Sequence, residues 1–73
     1  MSQPLYRIET RVTTLADWRA AQRLSQQQAA EILGISQMRY SRLERGVQFA
    51  RGPLAKRITE ITGVPLEVLV GAV

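Results

Sequence analysis

The side chains best suited to recognising another molecule lie between residues 37 and 45. At helical spacing this stretch places donors, acceptors and one apolar contact on a single face: Gln37, Met38, Ser41, Arg42 and Arg45. Arginine can donate two parallel hydrogen bonds to a guanine edge, glutamine can pair in the same way with adenine, and an apolar side chain can contact the thymine methyl group. Because an α-helix fits the major groove of B-DNA, this face predicts contacts with base edges.

The alternative for such a face is an ordinary solvated, charged surface. Solvated faces usually mix charges of both signs, whereas this stretch sets Arg39, Arg42 and Arg45 against the single acid Glu44. The imbalance favours an anionic partner. Arg39 lies at the flank of the face and is predicted to contact a phosphate, with a base and solvent as the alternative partners.

Composition supports a small basic domain and argues against catalysis. The chain has 73 residues and a net charge of +4, and nine of its ten basic residues are arginine. It contains no His and no Cys, and its one lysine is Lys56, so the usual nucleophiles, bases and zinc ligands are missing. We therefore expect no enzyme activity, no metal and no cofactor.

The sequence also bears on location. No apolar run approaches the roughly 20 residues that a membrane span requires. The first residues lack the basic and apolar regions of a secretory signal. We expect a cytoplasmic protein that does not enter a membrane.

Capping signals divide the chain from residue 14 onward into five helices. They are expected over residues 15 to 23 or 24, 26–33, 37–45, 53–62 and 65–70. Thr14, Ser25 and Ser36 can cap the first three at their N-termini, and Gly34 and Gly46 can end the second and third. The connection between the second and third helices is then only three residues long, which predicts a helix, a tight turn and a helix.

The spacing of apolar residues indicates which faces are buried. Trp18 faces the core from the first helix, and Leu33, Ile35, Tyr40 and Leu43 lock the second and third helices together. The last two helices are expected to bury these five side chains: Leu54, Ile58, Ile61, Leu66 and Leu69.

We expect residues 1–13 to be a separate N-terminal arm and residues 14–73 to be the helical domain. From Tyr6 to Val12 every second residue is charged and the others are apolar except for Thr10, which is the period of a half-buried strand. No other segment reads as a strand, so the arm either stays loosely ordered or pairs with the same arm of a second copy.

One long run of this sequence resembles the helix-turn-helix of the phage repressor and Cro family. The run is Leu24-Ser25-Gln26, then Ala30-Glu31-Ile32-Leu33-Gly34-Ile35-Ser36-Gln37, then Ser41-Arg42-Leu43-Glu44-Arg45-Gly46. The similarity extends from about Leu15 to Leu69. It implies an all-α, compact five-helix domain like that of the lambda repressor. One departure is Arg23, where family members frequently have glycine at the end of the first helix.

The resemblance also implies roles for individual residues. Gln37, Met38 and Arg42 would face base edges, and Gln26 at the start of the second helix would contact a phosphate. Arg19 and Glu44 hold positions that often form an internal ion pair in this family. Arg45 and Arg51 lie where a helix seated in the groove would bring them near the flanking backbone, so we expect both to contact phosphates.

These features predict a regulator that binds double-stranded DNA in a sequence-specific manner, a repressor acting as a homodimer on a palindromic operator. Two-fold dimers read two half-sites and so select a longer sequence than one helix can. The apolar tail offers the interface, with Val68, Leu69, Val70 and Val73, and the N-terminal arm is the second candidate. The alternative is an antitoxin-like module whose arm binds a partner protein such as a toxin.

Overall fold

The computed structural model describes residues 13–71, and within them the chain forms five α-helices. They are α1 (Leu15–Gln22), α2 (Gln26–Leu33), α3 (Gln37–Arg45), α4 (Gly52–Thr62) and α5 (Leu66–Val70). α3 packs against α1 and α2, α2 also packs against α4, and α5 packs against α4. The expected all-α helix-turn-helix fold is confirmed. The proposed strand at Tyr6 to Val12 lies outside the described residues.

The expected N-terminal caps of the first three helices are all present. The Thr14 hydroxyl accepts from the Asp17 amide at 3.1 Å, and the Ser36 hydroxyl accepts from the Arg39 amide at 3.1 Å. At α2 the capping box is complete, because Ser25 and Gln28 each accept a hydrogen bond from the other's backbone N–H. These bonds satisfy amides that a helix leaves without internal partners.

The end of α1 differs from the expected one. The helix stops at Gln22, and Arg23 takes the left-handed conformation with φ of 58°. A residue with a Cβ is strained in this region, which is why glycine usually occupies it. Arg23 is the single residue other than glycine with positive φ within residues 13–71.

Twelve buried apolar side chains form one core that draws on every helix. They are Leu15, Trp18, Ala29, Ala30, Leu33, Tyr40, Leu43, Ala50, Ala55, Ile58, Val64 and Leu69. Ile35 and Leu54 are half-buried against this cluster. The core therefore contains the predicted Trp18, Leu33, Tyr40, Leu43, Ile58 and Leu69.

Two residues predicted to be buried are exposed. Ile61 is 43% exposed, and the position facing the core one residue further on belongs to Thr62. The Thr62 hydroxyl donates to the Ile58 carbonyl at 2.8 Å and accepts from the Val64 amide at 3.1 Å, so its burial leaves no polar group unpaired. Leu66 is 46% exposed, while Val64, just before α5, is fully buried.

The segment between α3 and α4 is fastened to α5. The Ala50 amide donates to the Leu69 carbonyl at 2.9 Å, and Ala50 is fully buried. The ring of Phe49 lies against Gly71, so close that a Cβ at Gly71 would be 3.0 Å from the ring. The exit from α3 is thereby tied to the C-terminal end of the domain.

Candidate nucleic-acid interface

α3 has one buried face and one free face. Tyr40 and Leu43 point into the core, so the helix cannot rotate without opening it. The opposite face carries the predicted recognition residues: Gln37, Met38, Arg42 and Arg45 are exposed, and Ser41 is half-buried. The structure thus brings the five predicted residues of α3 onto one accessible surface.

The turn before α3 fixes where this surface begins. Gly34 ends α2 with φ of 75°, and its amide and that of Ile35 donate to carbonyls of the last turn of α2, Glu31 and Ala30. Ser36 then caps α3, so Gln37 is its first helical residue. Because only three residues separate the helices, the amino end of α3 is set closely by the end of α2.

An open concave region lies beside this face. It is lined by Gln26, the first residue of α2, together with Gln37, Met38, Ser41 and Arg45 of α3. Arg45 lies along the helix, with its Nε 3.4 Å from the Ser41 carbonyl oxygen. The lining combines amide, hydroxyl, thioether and guanidinium groups, which together can donate to phosphates and bases and contact a methyl group.

Glu44 accepts hydrogen bonds from side chains of three helices, and one of the donors, Gln26, also lines the concave region. Arg19 of α1 donates to both carboxylate oxygens, from Nε at 2.8 Å and from Nη2 at 3.3 Å. Gln26 of α2 donates from Nε2 at 2.8 Å, and the Tyr40 hydroxyl lies 3.0 Å away. The Glu44 side chain is 8% exposed and that of Arg19 is 29% exposed, so the ion pair is largely shielded from water.

The surroundings of Glu44 change its acidity and that of Tyr40. Burial acts to raise the pKa of Glu44, but the hydrogen bonds from Arg19, Gln26 and Tyr40 outweigh burial and hold the pKa below its usual value. Burial, with the adjacent carboxylate, raises the pKa of Tyr40. Glu44 is therefore ionised and Tyr40 neutral at pH 7.

Gln26 belongs both to the hydrogen-bond network of Glu44 and to the lining of the concave region. Its Nε2 donates to Glu44, while its side chain also lines the concave region at the N-terminus of α2. A primary amide carries two N–H groups, so one remains for a phosphate after the bond to Glu44. Glu44 thus orients the amide that we predict to contact DNA.

The other predicted phosphate contacts surround the recognition face. Arg39 is exposed on the first turns of α3, and Arg51 is exposed at the N-cap position of α4. Arg51 makes no side-chain capping bond, so its guanidinium does not serve to start the helix.

The predicted dimer residues are placed unequally. Val68 and Val70 are among the exposed apolar side chains, but Leu69 is 4% exposed and belongs to the core of its own chain. Leu69 therefore does not offer an interface surface, because its side chain is buried in the core while those of its two neighbours on α5 are exposed. Val73 lies outside the described residues.

Several contacts near the site were not predicted from the sequence, among them the bond from Gln26 to Glu44. The Tyr40 hydroxyl reaches Glu44 four residues later, a spacing that places two side chains together on a helix and could have indicated the contact. Arg57 on α4 donates from Nη2 to the Leu33 carbonyl at 2.9 Å. That contact joins residues 24 positions apart, and no local spacing signals it.

Residues 13–71 contain neither a cluster of His, Cys, Asp or Glu that could hold a metal ion nor a helix long and apolar enough to cross a membrane.

One of three comparisons with known proteins found a match, and that match agrees with this geometry. Searches of curated proteins and of solved structures found no match. A family model described as helix-turn-helix matches residues 15–69, which includes all five helices except the last residue of α5. With most of its length matched, this chain belongs to the helix-turn-helix family of the Cro and repressor type, and it is a DNA-binding transcriptional regulator.

Proposed function

We propose that this protein is a sequence-specific repressor that binds a palindromic operator as a homodimer, with α3 in the major groove of each half-site. The observation that carries the proposal is the division of α3 into a locked face and a free face. A helix held by Tyr40 and Leu43 presents its polar side in one fixed orientation. Fixed orientation is what reading base edges requires.

Four residues of α3 would contact bases. Arg42 suits a guanine edge, Gln37 an adenine edge, and Met38 the methyl group of thymine, while Ser41 can donate or accept. Met38 supports this role because its long apolar side chain is exposed and lines the concave region, and does not belong to the core.

Four residues around α3 would contact phosphates. Gln26 lies at the N-terminus of α2, where the helix dipole favours an anion, and its free amide N–H is oriented by Glu44. The other three are exposed arginines: Arg39 and Arg45 lie on the recognition helix, and Arg51 lies in the segment that follows it. Such contacts fix the register of the protein on the duplex, while base contacts specify the sequence.

Dimerisation would use the exposed apolar side chains near the C-terminal end of the domain. Val68, Val70 and Leu66 are exposed on α5, and Ile61 is exposed on α4. Two copies related by a two-fold axis would read two half-sites about one helical turn apart. A regulator of this kind acts where the DNA is, and we propose the cytoplasm.

The proposal is tested by selecting duplexes from a random pool with the purified protein. We expect an enriched sequence with two-fold symmetry, whose half-sites are centred about 10 base pairs apart or a multiple of this. Enrichment of a single, asymmetric half-site would refute the homodimer. Enrichment of no sequence would refute sequence-specific binding and leave a protein partner, such as a toxin bound by residues 1–13, as the alternative.

A further inference from the structure

The carboxyl end of α2 is capped by a side chain from another helix. Leu33 is the last residue of α2, and its carbonyl belongs to the group that a helix leaves without an internal partner. The Arg57 guanidinium of α4 donates to this oxygen from Nη2 at 2.9 Å. The last turn of α2 has no basic residue of its own, so Arg57 supplies the positive charge that the negative end of the helix dipole favours.

Gly34 leaves room for this contact. A Cβ built on Gly34 would lie 3.2 Å from Arg57 Nη2, which is closer than about nine in ten real Cβ contacts, so the guanidinium would have to shift by a few tenths of an ångström. The backbone at Gly34 is also left-handed, with φ of 75°. The glycine at the start of the turn therefore serves two needs, the reversal of the chain and the approach of the guanidinium.

The place of this contact in the fold gives it a consequence for α3. Leu33 precedes Gln37, the first residue of the recognition helix, by only four positions. On the other side, Arg57 adjoins Ile58, which is fully buried and anchors α4 in the core. The bond thus runs from the part of α4 that is anchored in the core to the segment that sets the amino end of α3.

We propose that Arg57 is a positioning residue that holds α4 and the helix-turn-helix as one unit, so that α3 and Arg51 engage the duplex in a fixed register. The inference rests on the proposed function, because Arg51 at the start of α4 is there assigned to a flanking phosphate. Arg57 follows Arg51 by six positions, which is a rise of about 9 Å along the helix. The N-terminal end of α4 therefore contacts the DNA backbone through Arg51. Further along the same helix, Arg57 fixes the turn before the recognition helix.

The test compares Arg57→Met with Lys56→Met. Both remove one positive charge from neighbouring, exposed positions of α4 and leave a flexible apolar side chain, but only Arg57 bonds to Leu33. The affinity of each variant is measured for the duplex selected by the wild-type protein and for a scrambled duplex of equal length and composition. The dependence of both affinities on salt concentration is recorded.

We expect Arg57→Met to reduce the ratio of specific to non-specific affinity about tenfold, since hydrogen bonds from charged groups are among the stronger ones. Lys56→Met should leave that ratio unchanged, and Arg57→Lys, which retains a charged donor, should restore most of it. The salt dependence should change equally in the two methionine variants. A ratio equal to that of Lys56→Met would overturn the proposal. A salt slope reduced only in Arg57→Met would also overturn it, since Arg57 would then be a phosphate contact.

Amide hydrogen exchange tests the contact without DNA, and so separates its failure from that of the proposed function. The Ile35 amide donates to the Ala30 carbonyl within the turn. Arg57→Met should speed its exchange relative to Lys56→Met if the guanidinium holds the turn. Equal exchange rates would refute the positioning role even if no duplex were ever selected, and if Arg57→Met fails to fold, Arg57→Gln takes its place in both measurements.

Discussion

Replacing Glu44 by alanine should destabilise the domain more than any other substitution of an acidic residue within residues 13–71. The carboxylate accepts from Arg19, Gln26 and Tyr40, which lie on three different helices. Removing it leaves the Arg19 guanidinium without its counter-charge in a site that is largely shielded from water. The same change removes the hydrogen bonds that join α1 and α2 to α3 through Glu44.

The structure bounds the size of this effect. Removing one member of a buried ion pair costs about 3–5 kcal/mol. Arg19 keeps its bond to the Leu24 carbonyl at 3.1 Å and is exposed enough to recover some water, while the Tyr40 hydroxyl can turn fully to the Leu15 carbonyl at 3.3 Å. We therefore expect the lower end of the range, about 3 kcal/mol, which in a domain of this size lowers the melting temperature by more than about 10 °C.

The assay is urea unfolding at pH 7, followed by helical circular dichroism, with Glu60→Ala as the matched control. Glu60 is an exposed glutamate of α4, so the control makes the same chemical change in a helix without removing the network. The free energy of unfolding of Glu60→Ala should stay within about 0.5 kcal/mol of the wild type. If Glu44→Ala unfolds at the same urea concentration as the control, the network does not stabilise the fold and the reasoning is refuted.

The same residue makes stability depend on pH in a defined direction. Because the folded pKa of Glu44 lies below its unfolded value, folding favours the ionised form, and the stabilisation is complete above the unfolded pKa. It is lost as pH falls from about 5 through the folded pKa. Asp17, whose pKa is lowered by hydrogen bonds from Thr13 and Thr14, contributes in the same direction. Glu44→Gln should therefore show a smaller loss of stability between about pH 5 and pH 3 than the wild type, and an equal loss would contradict the assignment.

The remaining predictions concern single side chains of the surface. Arg42→Ala and Gln37→Ala should each lose discrimination at one base pair per half-site by about 1–3 kcal/mol, whereas uniform weakening on all duplexes would make them phosphate contacts. Arg51→Ala should reduce the slope of log affinity against log salt by about 2 per dimer, with the preferred sequence unchanged, and an unaltered slope would remove Arg51 from the backbone contacts. Val70→Asp should yield monomers by sedimentation while helical circular dichroism is retained; an unchanged dimer mass would move the interface to the N-terminal arm. Arg23→Gly should raise the free energy of unfolding by up to about 1 kcal/mol in urea titration, since it relieves the left-handed backbone, and a decrease would show that the arginine side chain matters there.

The positions of α2 and α3 were predictable because their boundaries depend on local chemistry. Ser25 and Ser36 cap through their own hydroxyls, and Gly34 and Gly46 end the helices in the left-handed conformation, as the sequence predicts. Each of these signals acts within four residues and needs no tertiary contact. The exposed face of α3 follows from the same boundaries, because they fix which residues share a side of the helix.

The faces of the last two helices were harder to predict because polarity alone misleads there. Hydrophobicity predicts that Ile61 is buried and Thr62 is exposed, but the threonine is the buried one. Its hydroxyl pairs with the backbone at both Ile58 and Val64, so it costs little to bury, and this pairing depends on the turn after α4. Val64, which precedes α5, is fully buried, whereas Leu66, which the helical pattern assigns to the core, is exposed.

The recognition face and the core are two results of one packing arrangement. Tyr40 and Leu43 belong to the hydrophobic core, and Glu44 belongs to the polar network, so these three positions of α3 are committed to the fold. What remains for DNA is the opposite side of the helix. Two contacts outside the recognition face support it: Glu44 orients Gln26 beside the face, and Arg57 holds the turn before Gln37. Specificity in this protein should therefore respond to substitutions at Glu44 and Arg57, although neither side chain is placed to contact a base.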